Sequence, residues 1–578
     1  MNYKTSISIN GKRLSSFIEI FLKQDINNHH EFKILVDHEE IEEIGGHSLD
    51  VSSKEWLGKP LLITFKDTEF LGVVTNIRML LSDGHQSDIE VYGYSKTILL
   101  EQGKHTTSWL NKSLNDVIND TLNIVDLEAQ VKLEHKGILE YEAQYGESHF
   151  QFIKRLSKQY NEWLFWDGTK LIIGKPDEKE AIALEYNREL SNLSIGVQVK
   201  ANSYTTFSYN SNDNRTIASQ TTNDIRTLNE LGTEAFHTSL DIFNIVPNVH
   251  SISRVKDKSE LDTSLKKKQA AAVADLNILE ADCNIQGLTI GSIIKVGSAK
   301  SEGNNVFDVK SYGEYMVIAI EHKATGTDEY SCHFKAIPSG IAVLPEPKVE
   351  LPHAHSQIAT IVDNKDPRGF GRVKAKMLWQ KNNETTTWLR VMTPDAGTSD
   401  EHGEIRGNLV IPEINDQVMI GFRYGDPNRP FILGSLYNGS TIKAGKENRN
   451  SLVSRMGSKM VMDDNDGSLQ LTDKGGVDMK FDGAGNAVTQ IAKQNTIGVG
   501  ENGESMFKMD AKGNIALDGK ESLKITVGDS LFEMLADGTI KVNGKVITVN
   551  AETSTEIAAA NNHIAGITKM DGGDVFIN

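Results

Sequence analysis

The C-terminal part of the chain constrains the fold most, because it is a long array of very short apolar segments. From residue 431 to residue 578 the sequence contains no proline, cysteine or tryptophan. Glycine, aspartate, asparagine and lysine separate segments such as SLQLTD, SLKITVGD and TIKVNGK, which recur at roughly eight- to ten-residue intervals. Apolar and polar residues alternate within a segment, as at Ile525 and Val527 or Ile540 and Val542. This alternation predicts short β-strands that each have one face to bury.

Three arrangements could bury those faces. The segments could form a single-chain β-solenoid, fold as antiparallel hairpins, or intertwine with other copies of the chain. A solenoid usually needs coils of about 18–25 residues, and the array lacks that period. In an intertwined trimer each chain supplies one strand per layer, and each buried Val, Ile or Leu contributes about 1.5–3 kcal/mol. The absence of proline also suits continuous strand pairing. The pattern favours a trimeric rod and leaves the hairpin and solenoid arrangements open.

The bulk composition indicates a soluble protein of several domains. A length of 578 residues exceeds what one hydrophobic core supports. Hydrophobic residues make up 38% and charged residues 24%, as in ordinary globular proteins. The net charge of −18 argues against a general nucleic-acid binder and against a polybasic membrane anchor. We therefore expect no nucleic-acid partner.

The cysteine count and the N-terminus predict where the protein is made. Only two cysteines are present, Cys283 and Cys332, which indicates folding in a reducing cytosol rather than a disulfide framework. The start MNYKTSISINGKRLSSFIEIF lacks the charged and apolar regions of a signal peptide, and no run of about 18 apolar residues occurs. We expect a cytoplasmic protein at assembly that is later ejected or secreted without a signal peptide.

The N-terminal region, 1–175, is predicted to consist mainly of strands with two helices. Apolar residues at three- and four-residue spacing predict helices over Ser113–Val125 and Ser148–Trp163. The following segment WLFWDGTKLIIG predicts a hairpin that turns at Asp167 and Gly168.

The remaining regions follow in order. Residues 176–350 are predicted as strands around one long helix, over Ser259–Cys283, from its Lys- and Ala-rich sequence. Residues 351–440 are predicted to contain several short strands, among them TTWLRVMTP and NLVIPEI, which suits a small barrel of the OB kind. We expect a linker at 441–455 and the array proper at 456–578.

The OB-like region carries a recognisable pattern. It reads DPRGFGRV over Asp366–Val373, WLRVMTPDAG over Trp388–Gly397, and GNLVIPEINDQVMIGFRYGDPNRPFILGSLYN over Gly407–Asn438. In this order the motifs resemble the VgrG family, the spike proteins of type VI secretion and of related contractile injection systems. The Phe-rich helix and Trp-Asp-Gly hairpin after Tyr145 resemble the N-terminal hub of that family, and GLTIGSIIKV after Cys283 resembles the second half of the hub.

The resemblance implies a mainly β protein with a few helices. It would have a phage hub-like β-barrel domain with a helical insertion at 1–175 and a second barrel with a long helix at 176–350. An OB-fold neck would follow at 351–440, and a C-terminal intertwined trimeric β-helix, or β-prism needle, at 456–578.

The resemblance also implies partners and a function. As a homotrimer the chain would place six hub barrels on a hexameric ring of tube protein, among baseplate proteins. A PAAR-type tip protein would cap the needle, and effectors or their adaptors would travel with it. The target membrane would be contacted only transiently, during piercing. The expected function is a structural spike of a contractile injection apparatus.

We predict no catalytic, cofactor-binding or metal-binding residues. The segment Gly498–Gly503 matches GxGxxG, but an alternating strand pattern follows where a dinucleotide site needs a helix. The pairs His353 with His355 and His29 with His30 lack a completing cysteine or carboxylate at ligand spacing. HExxH, CxxC and GxSxG are absent from the sequence. We therefore expect a protein that is not an enzyme and needs no cofactor.

The last residues suggest a docking point. Phe576, Ile577 and Asn578 place apolar groups at the C-terminus, where a tip protein could bind. The alternative is that they form the last layer of the rod. If they dock a tip protein, deletion of Asp574–Asn578 abolishes co-purification of that protein and leaves the trimer intact.

Two other functions remain open at this point. A phage or phage-tail-like particle would use the same architecture as its baseplate hub and spike, with a different tube partner. A trimeric β-helical adhesin or lyase would also contain a rod, but it would need an export signal, and neither such a signal nor a catalytic cleft is visible in the sequence.

Overall fold

A computed structural model describes residues 5–42, 49–82, 85–211, 213–301, 307–326, 329–399, 405–440 and 447–573. The chain is mainly β and divides into two units, residues 1–438 and 439–578. Within the described residues, helices α1 to α6 run over Glu39–Glu42, Leu49–Trp56, Leu114–Leu122, His149–Tyr160, Glu230–Ile242 and Lys258–Val273, and 3-10 turns lie at Lys96–Leu100 and Arg423–Gly425. None of these helices is long and apolar enough to cross a membrane.

The first unit is built on one large mixed sheet. Strands β1 to β12 run over Thr5–Ile9, Lys12–Arg13, Glu19–Asp25, Glu31–Asp37, Pro60–Phe65, Thr68–Ser82, His85–Ser95, His105–Ser113, Ala129–Lys132, Ile138–Glu147, Leu164–Trp166 and Leu171–Gly174. Strands β13 to β21 run over Ile182–Tyr186, Leu190–Val197, Thr205–Asn210, Arg215–Gln220, Asn248–His250, Asn277–Cys283, Ile293–Ser301, Phe307–Thr325 and Tyr330–Pro338.

Strand pairing closes the second half of this sheet into a barrel. The order is β19-β13-β14-β18-β21-β20, and β19 also pairs with β20, which completes the ring. From β20 the same sheet continues through β3, β4, β7, β6, β5, β1 and β2. In the junction Ala319 lies opposite Asp25 and Thr325 opposite Glu19. The two expected hub barrels are therefore one continuous sheet, and a single hydrophobic core runs through both halves.

Both predicted helices and the predicted hairpin of the N-terminal region are present. Ser113 and Ser148 begin α3 and α4 with capping boxes, which satisfy the first backbone N–H groups of each helix. Strands β11 and β12 form the hairpin, with Gly168 at φ +115°. The left-handed turn explains the glycine at that position.

The long helix predicted over Ser259–Cys283 is wrong in its second half. Helix α6 ends at Val273, and strand β18 runs over Asn277–Cys283 as a central strand of the barrel. In NILEADC every second residue is buried, and this two-residue period is that of a strand with one face in the core. The Lys- and Ala-rich segment before this strand favours a helix, so the change from a helical pattern to a two-residue period is easily missed in the sequence.

The OB domain occupies the end of the first unit. Strands β22 to β27 run over Gln357–Asp363, Lys374–Met377, Ala396–Thr398, Ile405–Gly407, Gln417–Phe422 and Pro430–Leu436. Four of them form the sheet β23-β22-β26-β27 around a small core of its own. Two segments predicted as strands differ: TTWLRVMTP contributes only single bridges, and NLVIPEI forms no strand. Pro412 has no N–H to donate to a ladder, and Leu409 and Val410 are exposed.

The second unit contains the array. Strands β28 to β38 run over Arg449–Val453, Lys459–Asp463, Ser468–Thr472, Val477–Phe481, Ala487–Ile491, Gln494–Val499, Ser505–Asp510, Ile515–Gly519, Ser522–Val527, Ser530–Leu535 and Ile540–Asn543. They form three antiparallel meanders, β28–β32, β33–β35 and β36–β38. Strand β28 falls in the segment 441–455 that we expected to be a linker. Residues 544–573 form no strand, although VITVNAE and STEIAAA continue the array pattern.

Within one chain the segments thus pair as hairpins, which is one of the arrangements that the sequence left open. The intertwined trimeric β-helix is a property of three chains and stays a prediction. Phe576, Ile577 and Asn578 lie outside the described residues.

Candidate functional site

A buried charged cluster joins the OB domain to the hub. Arg155 on α4 is 2% exposed and donates from Nε to Glu147 Oε1 at 2.8 Å and from Nη1 to Glu142 Oε1 at 3.0 Å. The Asn428 amide of the OB domain donates to the same Glu142 oxygen at 2.7 Å and accepts from the Ala143 backbone N–H at 2.8 Å. Burial raises the pKa of Glu142, while Arg155 favours its ionised form.

The neighbouring Arg429 fixes the same loop to a second part of the hub. Its side chain is buried, donates to Asp426 Oδ2 at 2.9 Å and donates to the carbonyl oxygens of Ser251 and Ser253 at 2.7 and 3.3 Å. Gly425 has φ +68°, and a Cβ there would collide with the His353 ring. The motif GDPNRP is therefore one segment that attaches the OB domain to the hub. A buried charge that loses its partner is strongly destabilising, so this attachment resists separation.

The motif DPRGFGR forms a closed loop around one carboxylate. Asp366 accepts hydrogen bonds from the backbone N–H groups of Arg368, Phe370 and Arg372 at 3.0, 3.0 and 3.3 Å. The Arg372 guanidinium donates to both carboxylate oxygens, at 2.9 and 2.8 Å. This guanidinium, with the backbone donors, holds the pKa of Asp366 far below its ordinary value of 3.8. Gly369 and Gly371, both with φ +68°, allow the tight turn.

Each tail meander has one apolar face and one polar face. In the third meander the cross-strand pairs Ile525 with Phe532 and Met534 with Ile540 lie on one side. On the other side Lys524 and Lys541 pair with Glu533 at 3.8 and 3.6 Å. The first meander repeats the division, since Arg449 pairs with Asp463 at 2.8 Å on its polar side.

The apolar faces are open to solvent in the single chain. Ile525 is 51% exposed, Val527 76% and Ile540 62%. Beyond the last strand, Ile564 and Ile567 are also exposed. Burial of such side chains contributes about 1.5–3 kcal/mol each, so a chain with this many open apolar faces gains much from a partner that covers them. We call the side that carries Ile525, Phe532, Met534, Ile540 and Val542 the apolar face of the third meander.

The residues considered for chemistry belong to three separate segments of the chain. Gly498–Gly503 covers the end of β33 and the turn that leads to β34, as expected from the strand pattern. His353 and His355 lie edge to face with ring centroids 5.2 Å apart. His29 is bonded to Thr97 and Glu101, and His30 is buried against Gln24. In the part of the chain that the structure describes, no group of three or more His, Cys, Asp or Glu side chains could hold a metal ion.

The sequence analysis recognised the motif of the attachment loop but did not predict which residues the loop contacts. GDPNRP was visible as a motif, but its partners Glu142 and Ala143 belong to a distant part of the chain. Trp379 also contacts the hub, because its ring lies edge-on to that of Tyr145 with centroids 6.4 Å apart. Its Nε1 donates to Gln357 Oε1 at 2.7 Å within the OB domain, which fixes the ring in that position.

Family models match two parts of the chain. Residues 357–437 match the type VI secretion system/phage-baseplate injector OB domain, and residues 40–326 match the phage tail baseplate hub. Together these matches span well over half of the 578 residues.

Curated relatives are spike proteins. The chain is 30% identical over 175 residues to the type VI secretion system spike protein VgrG1b of Pseudomonas aeruginosa, covering 26% of this chain and 22% of that protein. It is 30% identical over 147 residues to the type VI secretion system spike protein VgrG3 of Vibrio cholerae, covering 22% of this chain and 14% of that protein. The alignments therefore span less than a quarter of the length of these two relatives.

A solved structure shares the fold. A chain of the Francisella PdpA-VgrG complex in its lidded form superposes with a TM-score of 0.51 at 10% identity, covering 89% of this chain and 79% of that chain. Because its hub and OB regions match families of injection and baseplate proteins, and because VgrG spike proteins align with it, the chain belongs to the VgrG family.

Proposed function

We propose that the chain is the membrane-piercing spike at the tip of a contractile injection apparatus. The observation that carries the proposal is the combination of a hub locked to an OB neck by buried charges with a tail whose apolar faces are open. A piercing part must transmit force along its axis without coming apart. The Arg155 cluster and the Arg429 contacts supply such a connection between hub and neck.

A homotrimer explains the open faces best. Two sister chains present the same apolar residues, so three copies can cover one another and leave the Lys-Glu pairs in water. Closure around an axis would also remove the free strand edges of the meanders. In this assembly the hub sits on a hexameric ring of tube protein among baseplate proteins, and the needle carries a PAAR-type tip protein, effectors or their adaptors. Phe576, Ile577 and Asn578 are the proposed docking point for the tip protein.

The proposed role needs no catalysis. One relative is named an actin cross-linking toxin, so proteins of this kind include members with a further activity. In this chain the recognisable motifs are used for attachment and turn formation, which supports a structural role. The protein would assemble in the cytoplasm and be ejected during contraction, and it would contact the target membrane only in passing.

A release experiment tests this function. The medium of cells that make the chain together with a working contractile apparatus is compared with the medium of cells that lack the sheath gene. We expect the chain in the first medium and not in the second, with a cytosolic marker protein absent from both. Equal release in both cultures would contradict the proposal.

A phage baseplate hub is the second candidate function, and it has specific support because residues 40–326 match a phage tail baseplate hub. The same experiment separates the two functions. A chain recovered in free phage-tail particles that sediment as such would assign it to a phage baseplate. A chain released by contact-dependent contraction from intact cells would assign it to a secretion apparatus.

A further inference from the structure

A cavity lies where the hub, its β15–β17 segment and the OB domain meet. It has a volume of about 90 Å³, which exceeds the space that one water molecule needs. The hub side contributes His135 and Glu140, the middle segment contributes Tyr209 and Arg254, and the attachment loop contributes Arg423 and Arg429. All of these residues lie in the first unit of the chain.

Several arginine side chains lie close together at this place. Arg423 and Arg390 both lie against the ring of Tyr209, with guanidinium carbons 5.3 and 5.5 Å from its centroid. Burial lowers the pKa of Arg423, and repulsion from Arg429, Arg390 and Arg254 adds to this. Four arginines therefore act on one another in a protein whose net charge is −18.

Two of these arginines have carboxylate partners. Arg254 Nη2 lies 2.5 Å from Glu140, and Arg429 Nε lies 2.9 Å from Asp426. The two other carboxylates in the cavity wall are also engaged: Glu142 bonds to Arg155, and Glu260 accepts from the Lys256 backbone N–H at 2.7 Å.

Arg423 differs from Arg254 and Arg429 because one of its side-chain nitrogens has no hydrogen-bond acceptor among the described residues. Its Nη1 is buried, and no group among the described residues accepts a hydrogen bond from it. His135 Nε2, in the wall of the same cavity, is likewise buried without a partner in the described chain. A buried guanidinium N–H without an acceptor costs free energy, and an anionic oxygen is the acceptor that a guanidinium binds best.

We propose that this cavity binds an oxyanion, a carboxylate or phosphate group, with Arg423 as its principal donor. The ring of Tyr209 holds the Arg423 and Arg390 side chains in place, and His135 offers a second nitrogen to the same ligand. The oxyanion is supplied either by a free ion or by an acidic side chain of a partner polypeptide. The proposal is independent of the proposed spike function, because it rests on the first unit alone.

Calorimetry on the full-length protein tests the site with two probes, inorganic phosphate and a hexaglutamate peptide, at constant ionic strength set with sodium chloride. Saturable binding of phosphate alone identifies a free ion as the ligand class. Saturable binding of the peptide, displaced by phosphate, identifies a polypeptide carboxylate. The absence of saturable binding of either probe to the wild-type protein overturns the proposal.

Variants then assign the binding to Arg423. Arg423→Gln removes the donor, and Arg423→Lys keeps the charge but loses the forked guanidinium. We expect Arg423→Gln to weaken binding at least about tenfold and Arg423→Lys to weaken it less. Arg188→Gln is the matched control, because Arg188 is exposed and does not line the cavity. Binding that is unchanged in Arg423→Gln, or lost equally in Arg188→Gln, overturns the assignment.

Discussion

Arg155 shows how one buried side chain holds distant parts of this chain together. It donates hydrogen bonds to Glu142 and Glu147 inside the hub, and Glu142 also accepts a hydrogen bond from Asn428 of the OB domain. The sequence around Arg155 predicted a helix and its apolar face correctly, but not that a charged residue of that helix would be buried. An arginine can be buried where carboxylates pair with it, and here the carboxylates come from strand β10. The periodicity of the helix sequence carries no information about residues of that strand.

The Arg155→Ala variant tests the cluster. It leaves two carboxylates buried without their partner, so we expect the free energy of unfolding to fall by roughly 3–5 kcal/mol. Chemical denaturation followed by circular dichroism measures the change. Arg188→Ala is the control, because the Arg188 side chain is 72% exposed and its ion pairs should contribute within about 1 kcal/mol. Equal losses in the two variants would show that the buried cluster has no special role.

Asp366 leads to a pH-dependent prediction. Its pKa is lower in the folded protein than its ordinary value of 3.8, because Arg372 and backbone N–H groups stabilise the carboxylate. Because the pKa is lower in the folded state than in the unfolded state, the ionised carboxylate stabilises the fold at pH values above the unfolded-state pKa. This stabilisation is lost as the pH falls through the folded-state pKa. Asp366→Asn should therefore lower the unfolding free energy at neutral pH, by roughly 1–3 kcal/mol.

The difference between wild type and Asp366→Asn should shrink as the pH is lowered below the ordinary aspartate pKa of 3.8. Thermal unfolding at a series of pH values measures it. The control Asp67→Asn changes a carboxylate that is 84% exposed, and it should show little effect at any pH. A difference for Asp366→Asn that grows at acid pH would refute the proposed role of the carboxylate.

Among the elements, the strands of the tail were predicted best and the boundary at Val273 worst. Short alternating segments with glycine turns define their own length and their two faces, so the strands over 459–543 lie in the predicted array. The exceptions are β28, which lies in the expected linker, and residues 544–573, where the pattern continues without a strand. Helix α6 and strand β18 follow one another with only residues 274–276 between them. Their junction is set by the barrel, which needs a central strand at that point, and propensity alone does not indicate it.

Chemical labelling tests whether the apolar face of the third meander is covered. Ile525 and Lys524 are adjacent, lie on opposite faces and are each about half exposed in the single chain. We expect a cysteine in Ile525→Cys to be protected from maleimide in the native protein and a cysteine in Lys524→Cys to react readily. The native Cys283 and Cys332 are buried and give a low background. Equal reaction rates at the two positions would mean that nothing covers the apolar face.

The whole molecule was predictable in outline. The order of hub, OB region and tail follows from the strand patterns and the motifs, and the family matches fall on the first two regions. What the sequence did not reveal is long-range pairing. Strand β20 joins β3 although the two strands lie far apart along the chain, and this pairing turns two expected barrels into one sheet. Such pairings depend on which edges meet in three dimensions, and no local pattern encodes them.

The central claim is that three copies of this chain cover the tail's apolar faces, and the mass of the purified full-length protein tests it most directly. Size-exclusion chromatography with multi-angle light scattering should give three times the chain mass of 63.9 kDa. The trimer mass should persist on dilution, because the faces have no other cover in the described chain. A mass of 63.9 kDa, with the tail amides protected from hydrogen exchange, would contradict the account.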